Sequence, residues 1–268
     1  LNINIYIYIY MFKNEEILEK YKLFWQYPAI TEKSFYENNK SNPNFLGFPW
    51  ATIFDKKYNL NIIYKILLQY IDPNKTYFTC CQHICYKHFI GLWKVLNITT
   101  VYISHKVKKL DSIDGITLKP CPLYALNFED KTINKDFEGI NLLNVERPIL
   151  YSFVGGYQAG YLTDIRPRIF NMKHPNNTII KYTGDWHLNK LVYNPMQNVN
   201  QELNLSSEHI NKTKYYNELL IKSRFTLAPS GSGPNSIRFW EALATGSIPV
   251  LLADTLELPE HDLWHDAI

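Results

Sequence analysis

The chain has 268 residues, 46% of them hydrophobic and 20% charged, with a formal net charge of +3 at neutral pH. That length holds one large domain or two small ones with ample material for a core, and the mild charge, whose densest basic run is Lys106 to Lys109, argues against a nucleic-acid partner. No run of 18 apolar residues occurs, so the sequence contains no transmembrane helix. Residues 1–10 (LNINIYIYIY) precede the first methionine, Met11, and read as a non-native or disordered leader; the alternative is an edge strand of alternating Ile and Tyr. Apolar spacing predicts a helix from Glu15 to Pro28, residues 30–50 read as loop, and a second helix runs from Tyr58 to Ile71, ahead of Pro73. Then come a buried strand at Thr76 to Cys81, a helix at Ile84 to Leu96, a strand at Ile98 to Ser104 and a short one at Ile116 to Leu118. This alternation predicts a parallel α/β layer over residues 11–140.

Residues 127–147 are charged and Asn-rich without periodicity, and they read as a linker. A second α/β domain is expected over 146–268: strand Ile149 to Val154, helix Thr163 to Lys173, strand Thr178 to Tyr182, a loop from Thr183 to about Gln201, and a helix around Tyr215 to Ser223. The C-terminal stretch ELPEHDLWHDAI stops as a helix begins, which suggests a truncated second domain.

The most informative segment is Arg224 to Pro259. A strand (Phe225 to Leu227) leads into a Pro/Ser/Gly loop, a helix opens near Ser236, and a second strand (Ile248 to Leu252) follows. A helix start carries unpaired N–H groups and partial positive charge, so the loop Ser230, Gly231, Ser232, Gly233 in front of it suits a phosphate. Arg238 adds a permanent cation to bind it, or is a surface arginine. Glu241, on nearly the same face, can accept from ribose hydroxyls or simply complement the dipole. Ser236 is an N-cap, a phosphate ligand or both. Gly231 and Gly233 are read as turn residues that also allow close backbone approach, Gly246 as a left-handed helix cap, and Phe239, Leu243, Ile248 and Val250 as core. Asp254 either faces the site or caps a turn.

With Pro229, Gly231, Ser236, Arg238, Phe239, Glu241, Ala242, Leu243, Gly246, Ile248, Pro249, Val250, Asp254, Leu258 and Pro259 in place, this segment resembles the exostosin family of glycosyltransferases, family 47. Residues 151–156 (YSFVGG) and 165–170 (IRPRIF) look like the family's second-domain opening. The resemblance is strong over about 145–268 and weak over 11–140. It implies a GT-B-like fold of two Rossmann-like α/β domains with parallel sheets, the first on the acceptor side and the second binding a nucleotide sugar. It further implies an inverting transfer from a nucleoside-diphosphate sugar, UDP-linked by preference, to a glycan, protein or other hydroxyl acceptor, with no metal cofactor. A eukaryotic exostosin would carry an N-terminal membrane anchor, from which this sequence departs.

Gly155 and Gly156 fall at a strand's carboxyl end, where ligands of open α/β sheets sit. Arg166 near a helix start is disfavoured unless an anion is present, which makes it a donor-phosphate candidate; the alternative is a pair with Asp164 or Glu146. In Thr183 to His187, Trp186 can stack on a uracil or sugar, and Asp185 or His187 can act as base; a plain polar loop is the competing reading. In the first half His83, His105 and Asp55 are candidates for the base, His83 being preferred for its place at a strand end. Cys80, Cys81, Cys85 and Cys121 match neither a secreted disulfide framework nor paired zinc ligands, so no metal is expected and a reducing, cytoplasmic setting is favoured. No GxxxxGK[ST] pattern occurs, which argues against an NTPase. A non-catalytic nucleotide-sugar or glycan-binding module is the alternative to an enzyme.

Overall fold

A computed structural model describes residues 14–124, 135–184 and 207–264. They form two compact units, the first from residues up to 26, 30–122 and 256 onward, the second from 27–29 and 123–255. The segment from Leu256 joins the first unit and not the second, because Leu256 bridges Val107 and Glu257 pairs with buried Lys106 at 2.7 Å.

The first unit contains helices α1 (Asn14–Lys20), α2 (Thr31–Asn39), α3 (Trp50–Asp55) and α4 (Leu60–Leu67), strand β1 (Tyr77–Cys81), helix α5 (Ile90–Val95) and strands β2 (Ile98–Ile103), β3 (Ser112–Ile113) and β4 (Ile116–Pro120). Its sheet runs β1-β2-β4-β3, with β1, β2 and β4 parallel and β3 antiparallel to β4. Asn59 caps α4 by accepting from the Asn61 N–H, and Ile63, Ile66 and Leu67 turn the helix inward. Residues 44–46 pair with Phe78 along the outer edge of β1, which covers backbone that would otherwise be open. The core is an aromatic cluster: Trp50 lies 5.3 Å from Phe89 and 5.7 Å from Trp93, and its indole N–H donates to Thr79.

Helix α2 corrects the expectation of loop over residues 30–50. Its sequence, TEKSFYENN, buries Thr31, Glu32 and Tyr36, and two of those three are not apolar. Glu32 accepts from the backbone N–H groups of Gln82 and Ala51, thereby joining the starts of α2 and α3 to the exit of β1.

The second unit is a four-stranded, wholly parallel sheet in the order β6-β5-β7-β8, with β5 (Ile149–Gly155), β6 (Ile179–Tyr182), β7 (Ser223–Pro229) and β8 (Ile248–Leu252). Helices α6 (Ile165–Asn171), α7 (Ser207–Lys222) and α8 (Ile237–Ala244) supply the crossovers. Phe153, Ile169, Leu219, Leu220, Ala228, Phe239 and Ala242 fill the core. Both units are therefore Rossmann-like α/β layers. Leu243 and Ile248, expected in the core, are exposed. Ile248 opens β8, an edge strand, a place also consistent with Pro249, which has no N–H to offer a further neighbour, and Leu243 lies on the outer side of α8. Gly246 has φ +73° and ends α8 as a left-handed cap.

Candidate functional site

Because every strand of the second sheet is parallel, the carboxyl ends at Gly155, Tyr182, Pro229 and Leu252 lie along one rim. At this rim β5 runs into Gly156, and β7 runs through Ser230 to Gly233 into α8. Arg238, at the second position of α8, sends its guanidinium back across the rim, where Nη2 donates to the Val154 carbonyl at 2.6 Å. It lies over the Phe153 ring at 4.7 Å and the Tyr216 ring at 5.6 Å. Its Nε is buried without a hydrogen-bond partner among the described residues.

Arg166 approaches from α6 and is buried. Its Nε donates to the Ser230 carbonyl and its Nη1 to the Gly156 carbonyl, each at 2.9 Å, and the Tyr161 ring covers it at 4.8 Å. Neither alternative ion pair forms, since Asp164 holds the exposed Arg168. Two guanidiniums thus stand at one rim with no carboxylate in ion-pair distance among the described residues. Burial, and then the nearby Arg238, lower Arg166 to about 10, which leaves it protonated at neutral pH. Such a pair is unfavourable by itself and becomes favourable with an anion beside it.

The glycines here provide room for these cations. A Cβ on Gly155 would come within 3.3 Å of Arg238 Nη2, and one on Gly231 within 3.1 Å of Arg166 Nη2. Neither Gly231 nor Gly233 has the left-handed φ expected of a turn glycine; at Gly231 the constraint is close approach alone. The loop is tied down as well: the Ser230 hydroxyl meets Thr163 Oγ1 at 2.8 Å, and the Leu162 N–H donates to the Gly231 carbonyl at 2.8 Å. Ser232 is exposed and Gly233 is buried.

Ser236 occupies the N-cap of α8 in extended backbone, yet its side chain makes no capping bond. Asn235 Oδ1 instead accepts from the Ser236 N–H and from Trp240 Nε1, both at 2.9 Å. Glu241 is buried and its Oε2 accepts from the Tyr216 hydroxyl at 2.6 Å. Tyr216, Thr163 and Asn235 are residues that sequence reasoning missed. No local pattern marks Tyr216, whose partner is 25 positions away. Asp185, Trp186 and His187 lie outside the described residues.

In the first unit, His83 follows β1. Its Nε2 is 3.2 Å from Asp55 Oδ1 and its Nδ1 accepts from the Cys85 N–H at 3.0 Å, while Gln26 Nε2 donates to the other Asp55 oxygen. The backbone bond fixes the neutral tautomer with its proton on Nε2, directed at Asp55. Cys80 and Cys121 are buried with their sulfurs 3.9 Å apart, and burial raises the Cys80 and Cys81 thiols well above the usual range. These are inert thiols and not activated ones.

Two buried groups set a pH dependence. Burial raises the Glu32 carboxyl to about 8 from 4.5, and burial with nearby His83 lowers His105 to about 3 from 6.5. Glu32 contributes stability that is complete below pH 4.5 and is lost as pH rises through about 8. His105 has the opposite sign: its contribution is complete above pH 6.5 and is lost as pH falls toward 3. The slopes cancel between 4.5 and 6.5, so stability is expected to be flat there and to decline on either side. Urea midpoints measured across pH should show Glu32→Gln gaining on the unaltered chain from about pH 4.5 to about 8, by at most about 1.4 kcal/mol per pH unit. Parallel curves for the two proteins would remove Glu32 from this account.

The family profile described as Exostosin GT47 domain matches residues 95–267, from the end of α5 through the rim just described. Exostosin-1 of Bos taurus is 23% identical over 273 residues, covering 95% of this chain and 34% of that protein. Exostosin-1a of Danio rerio is 25% identical over 154 residues, 54% of this chain and 20% of the relative. Exostosin-1c of Danio rerio is 46% identical over 55 residues, 20% of this chain and 8% of the relative. The chain therefore spans about a third or less of the curated relatives it matches.

Proposed function

The chain belongs to the exostosin GT47 family, and from that premise we propose that it is an inverting glycosyltransferase using a nucleoside-diphosphate sugar, UDP-linked by preference, with a glycan or protein hydroxyl as acceptor. The observation that carries the donor assignment is the pair Arg166 and Arg238, two cations at the carboxyl rim of a parallel sheet with no carboxylate in ion-pair distance among the described residues. In this reading the diphosphate lies against both guanidiniums, the first N–H groups of α8 and the Ser236 hydroxyl. The chain's own positive charge then serves the leaving group without a metal cofactor. Glu241 faces the ribose, and Gly155, Gly156, Gly231 and Gly233 let the donor approach the backbone.

Transfer forms a bond between the acceptor oxygen and the anomeric carbon as the bond to the diphosphate breaks. Arg238 stabilises the departing phosphate charge, and a base removes the acceptor proton. Asp185 and His83 are the proposed bases. His83 becomes a proton acceptor at Nδ1 only by giving up the Cys85 N–H, because the other nitrogen is committed to Asp55. That occupancy favours a second reading, a nucleotide-sugar-binding module without turnover.

Isothermal titration of UDP, with GDP for comparison, is expected to show UDP as the tighter ligand, and incubation with UDP-sugars should yield inverted product or free sugar. Binding without turnover supports the module. Failure of both nucleotides to bind rejects the donor site.

A further inference from the structure

We propose that Phe153 is a positioning residue of the donor site, whose ring holds the guanidiniums of both Arg166 and Arg238 at the rim. This rests on the reading of that rim as a site for a nucleoside diphosphate. Phe153 stands two positions before Gly155, the last residue of β5, so both face the same side of the sheet. Its ring is buried, with the Arg238 guanidinium 4.7 Å from the centroid and that of Arg166 at 5.6 Å. The bare backbone of Gly155 permits this, since a Cβ there would come within 3.2 Å of the ring and 3.3 Å of Arg238 Nη2. Each guanidinium also has a ring of its own, Tyr161 for Arg166 at 4.8 Å and Tyr216 for Arg238 at 5.6 Å, but Phe153 serves the two together.

Two cations brought to one place repel, and burial followed by the charge of Arg238 lowers Arg166 accordingly. Their hydrogen bonds go to carbonyls, Val154 for Arg238, and Ser230 and Gly156 for Arg166, and neither is paired with an acid among the described residues. A carboxylate in place of the ring would hold both cations and at the same time cancel the charge that a diphosphate needs. The face of an aromatic ring attracts a guanidinium within about 6 Å and carries no net charge. Phe153 therefore keeps the cations in place while leaving their charge to the ligand. An aliphatic residue would fill the space but offer the guanidiniums no such attraction. Without the ring, a diphosphate has to draw both arginines back to the rim, and affinity falls by what the ring contributed to holding them.

The test uses the full chain with UDP as the probe. Mono-, di- and trifluorinated phenylalanine at position 153 keep the shape of the ring nearly constant and withdraw electrons from its face step by step. UDP affinity should decline in the same steps, by about tenfold at the third fluorine, the equivalent of two cation–ring contacts. The same replacements at Phe170, whose ring centroid lies 5.4 Å from that of Phe153, should leave affinity unchanged. Phe153→Leu removes the ring and should match the trifluorinated protein in its loss. A core role alone responds to shape and not to fluorine count, so the series separates it from positioning and stays decisive if Phe153→Leu fails to fold. A flat series at position 153, or an equal decline at position 170, overturns the proposal while leaving the donor site standing. Absence of UDP binding to the unaltered chain overturns the donor site and this proposal with it.

Discussion

Arg238→Ala is expected to weaken UDP binding by about a hundredfold, corresponding to roughly 3 kcal/mol for a charge-assisted contact in a partly desolvated site. If Arg238 also stabilises the departing diphosphate, turnover should fall by a further factor of about 10² or more. The expectation is specific because the structural part of Arg238 is small: it donates to one carbonyl, Val154, and packs on two rings. Loss of that single bond predicts a modest change in melting temperature beside a large change in affinity. Arg238→Lys should fall between, since an ammonium keeps the charge and loses the planar fork. Arg168→Ala is the control, an exposed arginine paired with Asp164, and should bind as the unaltered chain does. Titration of UDP into the three variants decides the matter, and unchanged affinity in Arg238→Ala would withdraw its donor role.

Arg147→Ala should destabilise the second unit by about 3 to 5 kcal/mol, the largest stability effect expected of any single side chain here. Nη1 donates to the carbonyls of Leu220, Ile221 and Ser223, and Nη2 to those of Leu142 and Thr245, at distances of 2.6 to 3.0 Å. One guanidinium therefore serves the unpaired carbonyl ends of α7 and α8 together, and its charge opposes the negative pole of both helices. Gly246 leaves room for it, since a Cβ there would come within 3.1 Å of Nη2. Arg147→Lys cannot reach all five oxygens and should recover less than half the loss. Urea unfolding followed by tryptophan fluorescence measures both; a loss under about 1 kcal/mol for the alanine variant would mean that water replaces the guanidinium at those carbonyls.

How far the sequence discloses this molecule depends on the range of the interaction concerned. Strand β7, the loop after it and α8 are legible because turn residues, apolar spacing and a helix start all lie within one short stretch. The same holds for β5, whose run of apolar residues ends on two glycines. Helix α2 is hidden because its inward side is held by Glu32 and not by a hydrophobe, so the pattern that normally betrays a buried face is absent. Arg147 falls in a stretch read as linker, and nothing nearby shows that four of its five partners lie 73 to 98 positions away. Ile248 misleads in the other direction: the residue has the character of a core position, but strand order, which is set by the whole sheet, puts it on an edge. For Arg166 the sequence gives a cation near a helix start, and the structure adds the two carbonyls that hold it there.

One glycine at the rim is matched to one arginine, Gly231 to Arg166, in that the missing side chain of the first makes the space filled by the second, whereas at Gly155 the Phe153 ring stands as close as Arg238. Substitutions at such matched positions do not contribute independently. A serine at position 231 conflicts with the guanidinium of Arg166, and the same serine beside a shorter residue at 166 meets no such conflict. Drift at positions 166 and 231 is therefore paired and largely one-way: once Arg166 is lost, Gly231 is released from this contact, and a side chain that then fills the gap stands against the arginine's return.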